Sequence, residues 1–280
     1  MIVYKQYDQE ALNRQYNNRL QVPDHPVHTE TWQRVSEQTE KELPVIKDIP
    51  YGDLPRERLD IYPSPVPESK TLIFIHGGYW RNLDKSFFQF IAKAFHTYNI
   101  TVAIITYPLA PEVSIDQVVL SCRKAVQWVY KNIHSYKGNP EQIYLAGHSA
   151  GGHLAAMMMT DDKTVPPIPL KAVCSMSGLF NLVPIQLSDI NETLQMDKDM
   201  ALRNSPVYLQ PVIHCPLLLT VGADETDEYK SQGEELYTNW KQFVPVEVTE
   251  LKGLNHFSIV GDLLNSQSLL HQKIREMLSI

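Results

Sequence analysis

From about residue 71 onward, the hydrophobic positions of the chain follow two alternating patterns. Short β-branched runs alternate with longer ones, and two of them, 71–75 and 101–106, are apolar on both faces, as is typical of strands buried in a parallel sheet. Longer runs with a single apolar face predict helices between them. Strands are expected at 71–75, 101–106, 142–146, 171–175, 216–221 and 246–251, and helices at 87–98, 116–133, 227–242 and 263–278. This alternation predicts an α/β fold with a mostly parallel, doubly wound sheet and helices on both faces.

The first 43 residues do not follow this alternation. They are polar, with weak helical signals at 9–18 and 31–42, and prolines at 23 and 26 interrupt any helix between them. We interpret residues 1–43 as an N-terminal helical arm or cap.

Two further segments complete the predicted organisation. Residues 45–49 and 58–62 have the composition of short strands, joined by a turn. The stretch from about 180 to 209 breaks the alternation, and we expect it to fold as a small lid-like insertion over the carboxyl edge of the sheet. The whole chain, residues 1–280, is interpreted as one domain.

Composition narrows the partners and the compartment. The net charge is -7, without a basic run, which argues against nucleic acid or an anionic membrane surface as a partner. The first twenty residues are polar, and the chain lacks an apolar run of about 18 residues, the length a bilayer requires, so we expect a cytoplasmic protein. Cys122, Cys174 and Cys215 lie far apart in apolar segments and are interpreted as reduced core residues.

The most informative motif is the G-x-S-x-G sequence Gly147-His148-Ser149-Ala150-Gly151. It lies between a predicted strand at 142–146 and a helix-like run at 153–159. A strand, a sharp turn and a helix around this motif form a nucleophile elbow, in which strain holds the serine hydroxyl above the sheet edge. Ser149 is therefore the candidate nucleophile. The alternative is a glycine-rich turn that carries a surface serine.

A serine nucleophile needs a base and an acid that orients the base, and in this fold class they follow in the order Ser, Asp/Glu, His. His256 comes just after the last predicted strand and is the candidate base. The segment after the penultimate strand offers Glu225 and Asp224. In this fold class the acid commonly lies three residues after the small residue that ends the strand, which favours Glu225, with Asp224 as the alternative. Asp227 and Glu228 are interpreted as acids in the first turn of the next helix.

Oxyanion donors are expected from the turn His76-Gly77-Gly78-Tyr79-Trp80, which follows the strand at 71–75. We expect amides from Gly78 and Tyr79, with Gly77 as their neighbour, and a further amide from Ala150. Tyr79 and Trp80 are also candidates to line a pocket for an aromatic group. For Trp80 the alternative is packing against the N-terminal arm.

His148 and His153 flank the elbow and raise the question of a metal site. Their spacing of five does not place both on one helical face, and cysteines or carboxylates that would complete a site are missing nearby. We therefore expect neither a metal nor a cofactor.

These motifs together resemble the α/β-hydrolase superfamily, near the hormone-sensitive-lipase-like esterases, and within it the serine-dependent kynurenine formamidases (arylformamidases). The similar segments span nearly the whole chain: 16–19, 51–52, 59–62, 76–80, 147–154, 177–180, 228–232 and 256–257. Three positions depart from the usual pattern, with Pro108 in place of arginine, Gly233 in place of serine and Glu225 in place of aspartate. The resemblance implies hydrolysis of N-formyl-L-kynurenine to L-kynurenine and formate.

Two other functions remain open at this point. The same machinery would serve a carboxylesterase that acts on short-chain esters. A non-catalytic binding protein with a hydrolase fold is a more remote alternative, because such proteins usually lack a member of the triad and this chain has all three residue types. The expected partner is a small-molecule substrate, and a homodimer is left open.

Overall fold

Ten strands form one eight-stranded sheet and one small hairpin in the computed structural model, which describes residues 1–280. The strands are β1 (Ile2–Tyr4), β2 (Tyr7–Asp8), β3 (Ile46–Pro50), β4 (Arg58–Tyr62), β5 (Ser69–Ile75), β6 (Thr101–Thr106), β7 (Gly138–His148), β8 (Ala172–Met176), β9 (Leu217–Gly222) and β10 (Val246–Leu251). The main sheet has the order β10-β9-β8-β7-β5-β6-β4-β3. The six strands from β5 to β10 are parallel, and β4 and β3 add an antiparallel edge. The predicted mostly parallel sheet is confirmed.

Helices cover both faces of this sheet. They are α1 (Gln9–Tyr16), α2 (Asn18–Gln21), α3 (His25–Glu42), α4 (Phe90–His96), α5 (Ile115–Asn132), α6 (Ala150–Met157), α7 (Val183–Gln186), α8 (Asn191–Leu194), α9 (Lys198–Arg203), α10 (Asp227–Trp240), α11 (Ser258–Gly261) and α12 (Leu269–Met277). Short 3₁₀ turns occur at Lys85–Phe88, Ile133–Tyr136, Pro206–Tyr208 and Asp262–Leu264. None of the helices has both the length and the apolar character needed to cross a membrane.

The two faces of the sheet bury two separate hydrophobic cores, because successive side chains of a strand point to opposite faces. In β5, Ile73 and Ile75 belong to the larger core, whereas Leu72 and Phe74 belong to the smaller one. The larger core contains the apolar sides of α5, α6 and α10, and the smaller core contains those of α4 and α12. All three cysteines are buried and free, as predicted.

The sheet order places one crevice at its centre. From β5 the chain passes to β6 on one side, and it later returns to β7 on the other side. Ligands of open α/β sheets bind at the carboxyl ends of the strands where the order reverses. The turns after β5 and β7 meet at this point, so the predicted oxyanion turn and nucleophile elbow become neighbours.

Several predicted boundaries were wrong, each for a local reason. Helix α3 begins at His25 rather than near residue 31, because Pro26 lies in its first turn, where a helix tolerates proline. The predicted helix 263–278 ends early and restarts at α12, where the Ser268 side chain accepts a hydrogen bond from the His271 amide. The predicted helix 87–98 begins as the 3₁₀ turn Lys85–Phe88 before α4.

The segment predicted as an insertion contains α7, α8 and α9 and is packed firmly onto the larger core. Leu182, Ile185 and Leu194 are buried there. The Trp240 indole of α10 donates to the carbonyl oxygens of Pro206 and Leu209. The insertion is thus joined to the sheet through α10, and its action as a lid stays a prediction.

Candidate active site

Ser149 occupies a strained turn between β7 and α6. Its φ of 57° and ψ of -121° lie in a region that residues with a side chain rarely adopt. The turn requires glycine on both sides, since a Cβ on Gly147 would lie 2.1 Å from the Gly151 oxygen, and one on Gly151 would lie 2.0 Å from the Ile75 oxygen. This is the geometry of the nucleophile elbow that the motif predicts.

His256 lies beside Ser149, in the loop between β10 and α11. Its Nε2 is 2.9 Å from the Ser149 Oγ, and its Nδ1 is 2.7 Å from the Glu225 Oε2. Because a carboxylate can only accept, Nδ1 carries the proton and donates to Glu225. Nε2 is then free to accept the proton of the serine hydroxyl, as a general base must.

The structure brings Glu225, and not Asp224, to this histidine. Glu225 is buried, and its Oε1 accepts hydrogen bonds from the Gly222 amide at 2.8 Å and the Ser177 hydroxyl at 2.5 Å. Asp224 is exposed to solvent. Both oxygens of the buried Glu225 carboxylate therefore have donors, which offset the cost of removing a charge from water.

Ser177 is a site residue that the triad search missed. It directly follows β8 and has a φ of 51°. The available signal was its place at the carboxyl end of the strand next to β9, the same sheet edge from which Ser149 and Glu225 project.

The turn after β5 provides unpaired amides beside Ser149. Gly78 and Tyr79 have φ values of 110° and 48°, and neither of their amides donates to an acceptor in the chain. The amide of Ala150 opens α6, where a helix has no acceptor for it. Gly77 packs against Ser149, where a Cβ would lie 3.0 Å from the serine Cβ. Free amides are the donors that an oxyanion hole requires, each contributing roughly 3 kcal/mol to the transition state, so the role of these groups stays a prediction.

A cavity of about 700 Å³ opens at Ser149 and His256. Its walls come from the N-terminal arm, the turn after β5, the insertion, the end of β7 and the loop that carries His256 and Phe257. The insertion provides Asp189, Ile190 and Glu192. The arm was predicted only as a cap, yet it forms one wall of the cavity.

Trp80 does not line this cavity, so that prediction was wrong, whereas Tyr79 lines it as predicted. The Trp80 side chain is fully buried in the larger core, and its indole donates to the His153 Nδ1 at 3.1 Å. The same core contains Leu12 and Tyr16 of the arm, the neighbours that the alternative names.

The two histidines beside the elbow have structural partners. His153 accepts from Trp80, and its Nε2 donates to the Asn204 carbonyl at 2.7 Å, while burial lowers its pKa to about 4. His148 donates from Nε2 to the His256 carbonyl at 2.8 Å, and burial holds its pKa well below the usual range. His148 thus supports the loop that carries the candidate base.

The chain is similar to known proteins in sequence and in fold. The sequence model of the BD-FAE family matches residues 59–213. A kynurenine formamidase of Danio rerio is 31% identical, over 83% of this chain and 82% of its own, and that of Salmo salar is 29% identical over 98% of each. A solved structure from Silicibacter sp., with a proposed thioesterase activity, superposes with a TM-score of 0.83 at 28% identity and covers 92% of this chain and 97% of its own.

The fold and these relatives define an α/β hydrolase of the esterase and formamidase type. The chain belongs to the BD-FAE family and is homologous to the kynurenine formamidases over most of its length. The resemblance found in the sequence is confirmed.

Replacing Ser149 tests its role as the nucleophile. Ser149→Ala should abolish covalent labelling by a fluorophosphonate, measured by intact mass, while circular dichroism stays unchanged. Ser64→Ala is the matched control. Ser64 is buried near the start of β6, whereas Ser149 lies at the carboxyl ends of the parallel strands. Undiminished labelling of Ser149→Ala would remove Ser149 as the nucleophile.

A second pair of variants separates the two acids. Glu225→Gln should lower kcat by about 10²- to 10⁴-fold, because His256 loses the partner that fixes its tautomer. Asp224→Asn should cost much less, since that side chain is exposed. Steady-state kinetics of both variants checks this, and the reverse order of losses would assign the orienting role to Asp224.

Proposed function

We propose that this protein hydrolyses an aryl formamide, converting N-formyl-L-kynurenine to L-kynurenine and formate. The observation that carries the proposal is the hydrogen-bonded series Ser149, His256 and Glu225 at the floor of a cavity with aromatic walls. The relatives named kynurenine formamidase support the choice of substrate.

The proposed mechanism is acyl transfer through Ser149. The Ser149 Oγ attacks the formyl carbon while His256 Nε2 takes the serine proton, and amides of Gly78, Tyr79 and Ala150 stabilise the oxyanion. His256 then returns the proton to the aniline nitrogen as the C–N bond breaks and L-kynurenine leaves. A water molecule, activated by His256, hydrolyses the formyl ester and releases formate.

An aromatic wall provides a surface for the anilide ring. Trp32 from α3 and Phe257 from the loop after His256 both line the cavity, and their rings stack with centroids 6.0 Å apart. His25 packs on the same Phe257 ring with centroids 5.3 Å apart. Such a wall favours a flat aromatic leaving group over an aliphatic one.

A guanidinium without an ionic partner suits the amino-acid end of the substrate. Arg81 lines the cavity and is half-buried. Its Nη1 donates to the Thr193 hydroxyl at 2.9 Å, and the side chain takes part in none of the ion pairs of the chain. Arginine recognises carboxylates through paired, charge-assisted hydrogen bonds, so we assign the substrate α-carboxylate to Arg81.

The substrate assignment is tested by comparing kcat/KM for N-formylkynurenine with that for p-nitrophenyl acetate and butyrate. We expect the formamide value to lie within the usual enzyme range, about 10⁴ M⁻¹s⁻¹ or above. A formamide value below about 10³ M⁻¹s⁻¹, beside efficient cleavage of an ester, would make the protein a carboxylesterase.

Replacing Arg81 tests the carboxylate site. Arg81→Gln should lower kcat/KM for N-formylkynurenine by about 10- to 100-fold, the range expected for one charge-assisted contact. Hydrolysis of formanilide, which has no carboxylate, should change by less than about twofold. Arg19→Gln is the matched control, because Arg19 also lines the cavity but is exposed. A loss confined to Arg19→Gln would assign the carboxylate to Arg19 instead.

A further inference from the structure

A series of three hydrogen bonds connects the N-terminal arm with the turn that follows β5. The Asn18 Nδ2 lies 2.8 Å from the Tyr229 hydroxyl, which lies 2.6 Å from the Tyr79 hydroxyl. The Tyr79 hydroxyl lies 2.6 Å from the carbonyl oxygen of Tyr16. The series begins and ends on the arm, and it passes through α10 and the turn.

The direction of each bond follows from the protons available. A carbonyl can only accept, so Tyr79 donates its single proton to Tyr16. Tyr229 must then be the donor in its contact with Tyr79, and the Asn18 amide donates to Tyr229. The donors thus run in one order, from Asn18 to Tyr229, from Tyr229 to Tyr79 and from Tyr79 to the Tyr16 carbonyl. Removal of the Tyr229 hydroxyl would leave Asn18 and Tyr79 joined only by the long contact between the Asn18 Nδ2 and the Tyr79 hydroxyl, 3.5 Å.

The arm that anchors this series is itself held in place. The Lys5 ammonium lies 3.1 Å from the Glu228 carboxylate, which is buried. The Tyr16 hydroxyl accepts from the Gln232 amide at 3.1 Å and lies 3.3 Å from the Glu228 carboxylate. Glu228 lies in the first turn of α10 as predicted, and in addition it binds the arm.

The same series contacts the catalytic groups. The Tyr229 ring packs on the His256 ring with centroids 4.6 Å apart. Burial raises the pKa of the Tyr229 hydroxyl. Tyr229 is fully buried and does not line the cavity, so it reaches the substrate only through its neighbours.

Tyr79 is the residue that needs such support. Its φ of 48° is a strained conformation that persists only when the surroundings hold it, at a cost of about 1–3 kcal/mol. Its amide is one of the expected oxyanion donors, and a displacement of about 1 Å would misdirect it.

We propose that Asn18 and Tyr229 are positioning residues, which fasten the Tyr79 side chain to the arm and thereby aim the Tyr79 amide at the oxyanion. The N-terminal arm then helps to orient an oxyanion donor, in addition to forming one wall of the cavity. The proposal rests on acyl transfer through Ser149 but not on the identity of the acyl group.

Tyr229→Phe and Tyr79→Phe test it, singly and together, with p-nitrophenyl acetate as substrate. Each single variant should lower kcat by about 10- to 100-fold, at most the loss seen for one oxyanion donor, with KM within about threefold. Affinity for phenyl trifluoromethyl ketone, which forms a tetrahedral adduct with a serine, should fall by the same factor as kcat/KM.

The kcat of the double variant should fall by no more than the larger of the two single losses, because both changes break one series of hydrogen bonds. Asn18→Ala should lower kcat in the same direction and provides a third variant if one tyrosine change prevents folding.

Tyr51→Phe is the matched control. It also removes a buried tyrosine hydroxyl, bonded to the Thr106 carbonyl and to Ser121, but away from the cavity. It should lower the melting temperature and leave kcat unchanged. The proposal would be overturned if Tyr229→Phe folds and keeps the wild-type kcat. It would also be overturned if the loss of kcat in the double variant equals the product of the two single losses, or if Tyr51→Phe loses kcat by the same factor. Because an artificial ester is used, failure to cleave N-formylkynurenine would not affect this test.

Discussion

The strained backbone of Ser149 is the constraint around which the rest of the site is arranged. A residue with positive φ between a strand and a helix costs about 1–3 kcal/mol, so the surroundings must hold it. The Ser149 amide donates to the Met176 carbonyl at 2.8 Å, which ties the elbow to the neighbouring strand β8. Gly147 and Gly151 allow β7, α6 and the end of β5 to approach closely. The stability of the central sheet thereby maintains the position of the Ser149 hydroxyl at the cavity.

Charge burial explains why the acid is surrounded by donors. Glu225 lies in a site closed to solvent, where an unpaired carboxylate would be too costly to keep. The His256 ring, the Gly222 amide and the Ser177 hydroxyl each donate to it. Two of these donors are fixed by the ends of β8 and β9. The sheet therefore determines which carboxylate can serve His256, and the exposed Asp224 has no such set of donors.

The arm and the insertion complete a site whose reactive groups all come from the sheet edge. Trp32 and Phe257 form an aromatic surface, whereas Arg81, supported by Thr193 of the insertion, provides a positive charge. The same arm meets the turn after β5 through Asn18 and Tyr16. The proposed substrate pocket and the predicted oxyanion turn thus both contact segments that lie outside the regular β-α alternation.

Local pattern was enough to predict the eight strands of the main sheet, the elbow and the order of the reactive residues, but not the β1-β2 hairpin of the arm. Burial on both faces leaves a run of apolar residues in β6, and β4, β6 and β10 have the predicted bounds. The same pattern placed Ser149, Glu225 and His256 at strand ends, but it left Glu225 and Asp224 both open. Only the tertiary structure showed which of the two carboxylates contacts His256 and that Trp80 is buried in the core. It also showed that Asn18 bonds with Tyr229, although the two residues are 211 positions apart. The physical reason is that periodicity records whether a side chain is buried, whereas its partners depend on how distant segments pack.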